Sequence, residues 1–290
     1  MSRIAARFKA LAAEGRGALI PYLEAYDPDR ATSLELLRAM PAAGADLIEV
    51  GMPFSDPSAD GPVIQAAALR GLKAGATLVC VLDMVAEFRK EDDATPIILM
   101  GYVNPVESYG YERFCKDAAS AGVDGLILVD LPPEEGAVIA APAQAAGLDI
   151  IRLVAPTTPD ARLSYVLAHA SGFVYYVSIV GITGTRSASA HDLASAIPRI
   201  RAATDLPIAI GFGVRTPEQA AQASSIADGA VVASALLATL AQTLDEQGRA
   251  TAQTLPRVLE QIRGLAQTSG ERRVGTACRS RGSAYRFTNN

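Results

Sequence analysis

The sequence predicts an α/β fold: a (β/α)8 barrel forming one domain, with an extra helix at its N-terminus. Three observations carry that reading. Half of the residues are hydrophobic and a fifth are charged in a chain of 290, enough to bury one large core at the size usual for such barrels. A short pattern recurs, in which an Ala-rich stretch ends at Gly and an Asp or small residue leads into a β-branched apolar run. Eight such runs alternate with helical patterns, as a parallel sheet with crossover helices requires.

In chain order, Ser2 to Ala13 is amphipathic and reads as the additional helix, placed at the barrel floor. Strands are expected at 17–24, 46–50, 96–102, 124–129, 148–154, 172–178, 206–210 and 228–232. The recurring pattern precedes three of them, as Ala43-Gly44-Ala45-Asp46, Ala121-Gly122-Val123-Asp124 and Ala146-Gly147-Leu148-Asp149. Each Gly suits a left-handed helix end. Gly122, Gly147 and Gly172 recur at a constant interval that fits one strand-plus-helix unit. The last helix runs from Pro256 to Gln267, and the domain spans 1–269. An open doubly wound sheet has the same strand signals and is the alternative, because a strand count does not prove closure. The segment 270–290 differs. Glu271 to Asn290 holds five Arg and one Glu without apolar periodicity; it reads as a disordered tail, either foreign to the fold or a basic interaction tail.

A net charge of −5 gives no electrostatic reason to bind nucleic acid or an anionic membrane. Without its Arg-rich tail the body is more acidic still, so any anion site must be local, built from backbone N–H groups and a helix terminus. Cys80, Cys115 and Cys278 lie far apart with no Cys-x-x-Cys, which predicts reduced thiols in a cytosol and no zinc site. No run reaches the ~18 apolar residues of a membrane span, and the N-terminus lacks the apolar stretch of a signal peptide. A cytoplasmic protein is expected. His169 and His191 fall on helical stretches as solvent-facing residues, so no metal site is expected.

In a barrel the active site lies at the C-terminal ends of the strands. Glu49 stands there on the second strand. Alternation puts Leu47 and Glu49 on one face, and desolvation would raise the carboxyl toward the range of general acid–base work. The competing reading is an ion pair with a core arginine such as Arg152. A long turn-rich loop follows, Gly51 to Pro62, and long loops at this end are usually functional. Asp60 within it is either a helix-terminal acid or a second carboxylate aimed into the same mouth. Three further segments follow strands six, seven and eight: Gly181 to Gly184, Gly211 to Gly213 and Ala233-Ser234. Together they fit a phosphate site. Schiff-base chemistry is not expected, because Lys9, Lys73, Lys90 and Lys116 all read as helical and none ends a strand.

The stretch Leu47-Ile48-Glu49-Val50-Gly51-Met52-Pro53-Phe54-Ser55-Asp56-Pro57-Ser58-Ala59-Asp60-Gly61-Pro62-Val63-Ile64-Gln65 resembles the signature of tryptophan synthase alpha chains. Met100-Gly101-Tyr102-Val103-Asn104-Pro105, Asp130-Leu131-Pro132, Gly181-Ile182-Thr183-Gly184 and Gly211-Phe212-Gly213 extend the likeness from about Arg7 to Gln267. The resemblance implies a lyase of tryptophan biosynthesis with the TIM-barrel architecture. Its reaction is retro-aldol cleavage of indole-3-glycerol phosphate to indole and glyceraldehyde 3-phosphate. It implies Glu49 as acid–base at indole C3 and the adjacent hydroxyl, with ionised Asp60 on the indole N–H. Gly184, Gly213 and Ser234 would take the phosphate. Tyr175 and Phe212, with Tyr22, Met100 and Leu153, would wall the ring, and Tyr102 would neighbour the carboxylates.

Gly181 to Ala190 has the small, polar composition of a lid, with Thr183 completing the carboxylate network. The resemblance also implies a tryptophan synthase beta chain as partner, in a heterotetramer of two alpha and two beta chains. Pyridoxal phosphate would belong to the beta chain and no cofactor to this one; indole would pass between the two. Asp56, Pro57, Asn104 and Pro132 are the interface candidates. A stand-alone lyase releasing indole and a non-catalytic binding subunit are the alternatives. Two departures bear on the pocket: Ala233 stands where the family usually has Gly, and Glu24 and Tyr26 where it more often has Thr and Gly.

Overall fold

A computed structural model describes residues 2–177, 190–211, 214 and 216–269. The first helix, α1 (Arg3–Glu14), is capped by the Ser2 hydroxyl, which accepts from the Ala5 N–H. Strand β1 (Ala18–Glu24) leads to α2 (Arg30–Ala39) and β2 (Ile48–Gly51). Two helices, α3 (Pro62–Lys73) and α4 (Leu78–Phe88), precede β3 (Ile97–Gly101); α5 (Val103–Tyr109) and α6 (Tyr111–Ala121) precede β4 (Gly125–Leu128). A 3-10 turn (Pro133–Glu135) and α7 (Ala137–Ala146) connect to β5 (Asp149–Ile150) and β6 (Arg152–Val154). Then come α8 (Asp160–Leu167), β7 (Val174–Val177), α9 (Ala190–Arg201), β8 (Ile208–Gly211), α10 (Pro217–Ile226), β9 (Gly229–Val232), α11 (Ser234–Gln242) and α12 (Thr254–Ser269). Helices α6 and α7 end at Gly122 and Gly147, both left-handed, as the Ala-Gly pattern requires of residues without a Cβ.

All pairings are parallel, and the order runs β5-β4-β3-β2-β1-β9-β8-β7-β6. The expected strand 148–154 is interrupted at Ile151. Its first half pairs with β4 and its second with β7, so one run of chain carries both edges and the sheet closes on itself. That pairing excludes the open-sheet alternative. The other strand expectations differ from the observed spans only at their ends, and the last helix is longer than expected.

Two hydrophobic layers follow from strand alternation. Outward-facing Leu23, Ile48, Val50, Leu99 and Leu126 pack under the helices. Inward-facing Ile20, Leu47, Ile98, Ile127, Ile151 and Phe173 fill the barrel, and Ile4, Phe8 and Leu11 of α1 complete that cluster from below. The Phe8 and Phe173 rings meet with centroids 5.7 Å apart. Helix α1 therefore plugs the floor.

The Asp of the recurring pattern has a structural task there. Asp46 Oδ2 accepts the Leu19 N–H at 2.8 Å while its oxygens bind Arg16 at 2.8 and 2.9 Å and Arg7. Asp124 repeats this one strand pair further on, accepting the Ile97 N–H at 2.8 Å with Arg89 and Arg3 as its cations. Asp228 accepts the Ile208 N–H at 2.9 Å. Each carboxylate thus satisfies the entering N–H of a neighbouring strand.

Candidate active site

At the C-terminal mouth of the barrel the inward-facing positions turn polar, where the interior below them is an apolar cluster. Along β1, Tyr22 and Glu24 continue the inward face begun by Ala18 and Ile20; along β2, Glu49 continues that of Leu47. Tyr22 and Glu49 are register partners. Glu49 is 0% exposed, and neither carboxylate oxygen has a hydrogen-bond partner. Burial alone pushes its carboxyl up to about 8. The ion pair with Arg152 is not formed: Arg152 donates to the Leu131 carbonyl at 3.3 Å, on the helix side of its strand.

Asp60 is half-buried, and its Oδ2 accepts from the Tyr102 hydroxyl at 2.9 Å. That hydroxyl in turn accepts the Ala59 N–H at 3.0 Å. Desolvation lifts Asp60 to about 6 against the opposing effect of Tyr102. Asp60 does not cap the next helix. The cap of α3 is Gly61, with no side-chain hydrogen bond and Pro62 behind it, so the carboxylate is left for the mouth. The ring of Phe54 leans on Tyr102 at 5.4 Å between centroids.

Tyr175, on the inward face of β7, is buried and feels both Glu49 and Asp60. Its ring lies against Gly211, where any Cβ would collide with it; the Tyr22 hydroxyl lies against Gly51 in the same way. These two glycines, each ending a strand, make room for the aromatic walls. Met100 lies between the interior cluster and that of Tyr22, Ile64 and Leu237, and Leu153 packs on the interior cluster. Tyr22, Glu24, Met52, Asp60, Met100 and Tyr102 line one cavity of about 10 Å³, which shows that the side chains of β1, β3 and the Asp60 loop share a single space.

Ser234 is the first residue of α11, directly after β9, with Ala233 before it. Thr183, Gly184, Phe212 and Gly213, the lid segment before α9, Cys278 and the tail 270–290 lie outside the described residues. Asp56 and Pro132 are exposed and Pro57 is half-buried, on loops that follow strands, and Asn104 is exposed in the first turn of α5, directly after β3; Asp56 Oδ2 accepts from Ser55 at 2.5 Å. Of the residues read as helical, Lys90 and His169 instead occupy turns just beyond α4 and α8. Among the described residues no cluster of His, Cys, Asp or Glu could hold a metal, and no helix is long and apolar enough to cross a membrane.

Sequence reasoning underrated Glu24. It registered only as a departure, yet it is 2% exposed, bonded by the Tyr22 hydroxyl and raised by burial to about 8. The signal was the alternation Ile20, Tyr22, Glu24. Tyr26 adopts φ +65°, the left-handed region in which the family's more usual Gly costs nothing.

The profile of the tryptophan synthase alpha chain family matches residues 8–267. The chain belongs to that family. The alpha chain of Gluconacetobacter diazotrophicus is 69% identical over 267 residues, covering 92% of this chain and 97% of that one; that of Gluconobacter oxydans is 70% identical, covering 92% and 98%. Among solved structures, the alpha subunit of Legionella pneumophila superposes with a TM-score of 0.85 at 39% identity, over 93% of this chain and 98% of that one. A tryptophan synthase structure from Mycobacterium tuberculosis gives 0.84 at 36% identity, over 94% and 99%. As a tryptophan synthase alpha chain it is a carbon–carbon lyase that cleaves indole-3-glycerol phosphate, and membership implies a beta-chain partner.

Proposed function

We propose that Glu49 and Asp60 divide the chemistry of this cleavage. Breaking the bond between indole C3 and the glycerol carbon needs a proton delivered to C3, a proton taken from the adjacent hydroxyl, and stabilisation of positive charge at the indole nitrogen. Two carboxyls held in different protonation ranges meet those needs. Glu49 near 8 is largely protonated at neutral pH and serves C3 and the hydroxyl; Asp60 near 6 is largely ionised and takes the indole N–H. The observation that carries this assignment is Glu49 itself, buried with both oxygens unpartnered.

Tyr175, Tyr22, Met100, Leu153 and Phe212 wall the indole, with Tyr102 holding Asp60. Ser234, at the start of a helix, joins Gly184 and Gly213 on the phosphate, where the helix dipole favours an anion; Ala233 keeps its N–H donor. Thr183 completes the carboxylate network from the lid. Asp56, Pro57, Asn104 and Pro132 face the beta chain in a two-alpha, two-beta assembly. This chain works without a cofactor, pyridoxal phosphate belonging to the beta chain, and acts in the cytoplasm as one domain over 1–269. The test is steady-state cleavage with and without a beta chain. Glu49→Gln is expected to abolish turnover while phosphate-ligand binding persists, and full activity in that variant removes Glu49 from the mechanism.

A further inference from the structure

Tyr22 is the phenol placed beside Glu49 by the β1–β2 register, and Tyr175 of β7 is a second buried phenol that feels the Glu49 charge. Tyr22 and Glu49 are Cα partners on adjacent strands, both facing inward, and the Tyr22 phenol feels the charge of Glu49 as well as those of Glu24 and Asp60. Yet both Glu49 oxygens lack a partner. The hydroxyl donates to Glu24 Oε2 instead and is seated against Gly51, one inward position beyond Glu49 and about 6.6 Å along the strand. Glu24 Oε2 presses on the same glycine, so the hydroxyl and its acceptor are held together by packing as well as by the hydrogen bond.

We propose that Glu24 is a positioning residue of the cleavage reaction: by holding the Tyr22 hydroxyl over Gly51 it keeps that donor off Glu49, whose two oxygens stay open to substrate. This rests on the acid–base role assigned to Glu49. The other charged and titratable groups around the pair are few. Asp60 comes from the loop after β2, Asp27 and Arg70 neighbour Glu24 and are bonded to each other at 2.6 and 2.9 Å, Tyr102 of the β3 end holds Asp60, and Tyr175 faces from β7. Among the described residues, β4, β6, β8 and β9 turn only apolar side chains and glycine inward, among them Ile127, Leu153, Ala209 and Val231, and Asp149 of β5 is bonded by Ser2 at the opposite, α1 end of the barrel.

Without Glu24 the freed phenol would hydrogen-bond the Glu49 carboxylate, favour its charged form and deplete the protonated acid at lower pH. The experiment is the pH profile of kcat for cleavage by the full chain in E24L, E24Q, Y22F and the double variant, with E49Q alongside and E24A replacing E24L where the latter does not fold. With Tyr22 intact, E24L is expected to move the basic limb down by about one pH unit, the effect of one hydrogen bond to a charged group. E24Q, whose amide oxygen still accepts from the phenol, is expected to leave the limb in place. In the Y22F background the Leu substitution is expected to move nothing. An equal shift in both backgrounds, an equal shift in E24Q and E24L, or no shift in either background overturns the positioning role. Retained activity in E49Q overturns the reading of Glu49 instead, so the two failures are distinct.

Discussion

Glu49 has no exposed surface and no hydrogen-bond partner, so protonation is its only relief from burial. A carboxyl raised from 4.5 to about 8 on folding contributes stability below its unfolded value and loses it as pH rises through the folded one. Replacement by Gln is therefore expected to stabilise the fold by on the order of 3 kcal/mol at pH 7, with the gain vanishing near pH 4.5; urea titrations of both proteins at the two pH values measure it. The sign is opposite to the effect on catalysis. Asp60 carries the complementary prediction. Because the proposed role of Asp60 needs its ionised form and burial lifts the carboxyl to about 6, cleavage is expected to fall off below that pH. Asp60→Asn is expected to lower kcat at least ~100-fold, and a pH profile of kcat/KM for both proteins checks the limb and the loss together.

Among the elements, the strands were legible because a β-branched run after Ala-Gly-x-Asp can do little else than enter a parallel sheet. The Asp itself was legible as punctuation and not as a partner: that Asp46 would reach the Leu19 N–H, Arg16 and Arg7 depends on residues 27, 30 and 39 positions upstream, which no local pattern encodes. The same limit explains Glu49. Its strand, its face and its nearness to the loop of Asp60 could be read from alternation, but whether Arg152 would neutralise it depended on the face Arg152 takes in a strand interrupted at Ile151. Gly51 and Gly211 likewise read as loop glycines until the tyrosines of adjacent strands were placed against them. Asp46→Ala is expected to destabilise the barrel by about 2–3 kcal/mol by stranding a buried N–H. Its kcat for indole-3-glycerol phosphate is expected to be unchanged at temperatures where it is folded, since the floor lies a strand length from the chemistry; denaturant midpoints and kcat measured together separate the two.

For the whole molecule, stability and chemistry are assigned to opposite ends. The floor is closed by α1, and Phe8→Ala, which opens space beneath Phe173, is expected to cost about 3–5 kcal/mol, visible in the urea midpoint. Chain order adds a further asymmetry, because β1, the first strand made, pairs on one side with the last, β9, and the remaining closure runs through Asp149–Val154. During synthesis, β1 to β5 can zip together in the order in which they emerge. The free edge of β1 then waits, with its backbone donors and acceptors bare, until residue 232 has left the ribosome. Until β9 is made the sheet has no partner for that edge, and the last strand to arrive is the one that covers the first.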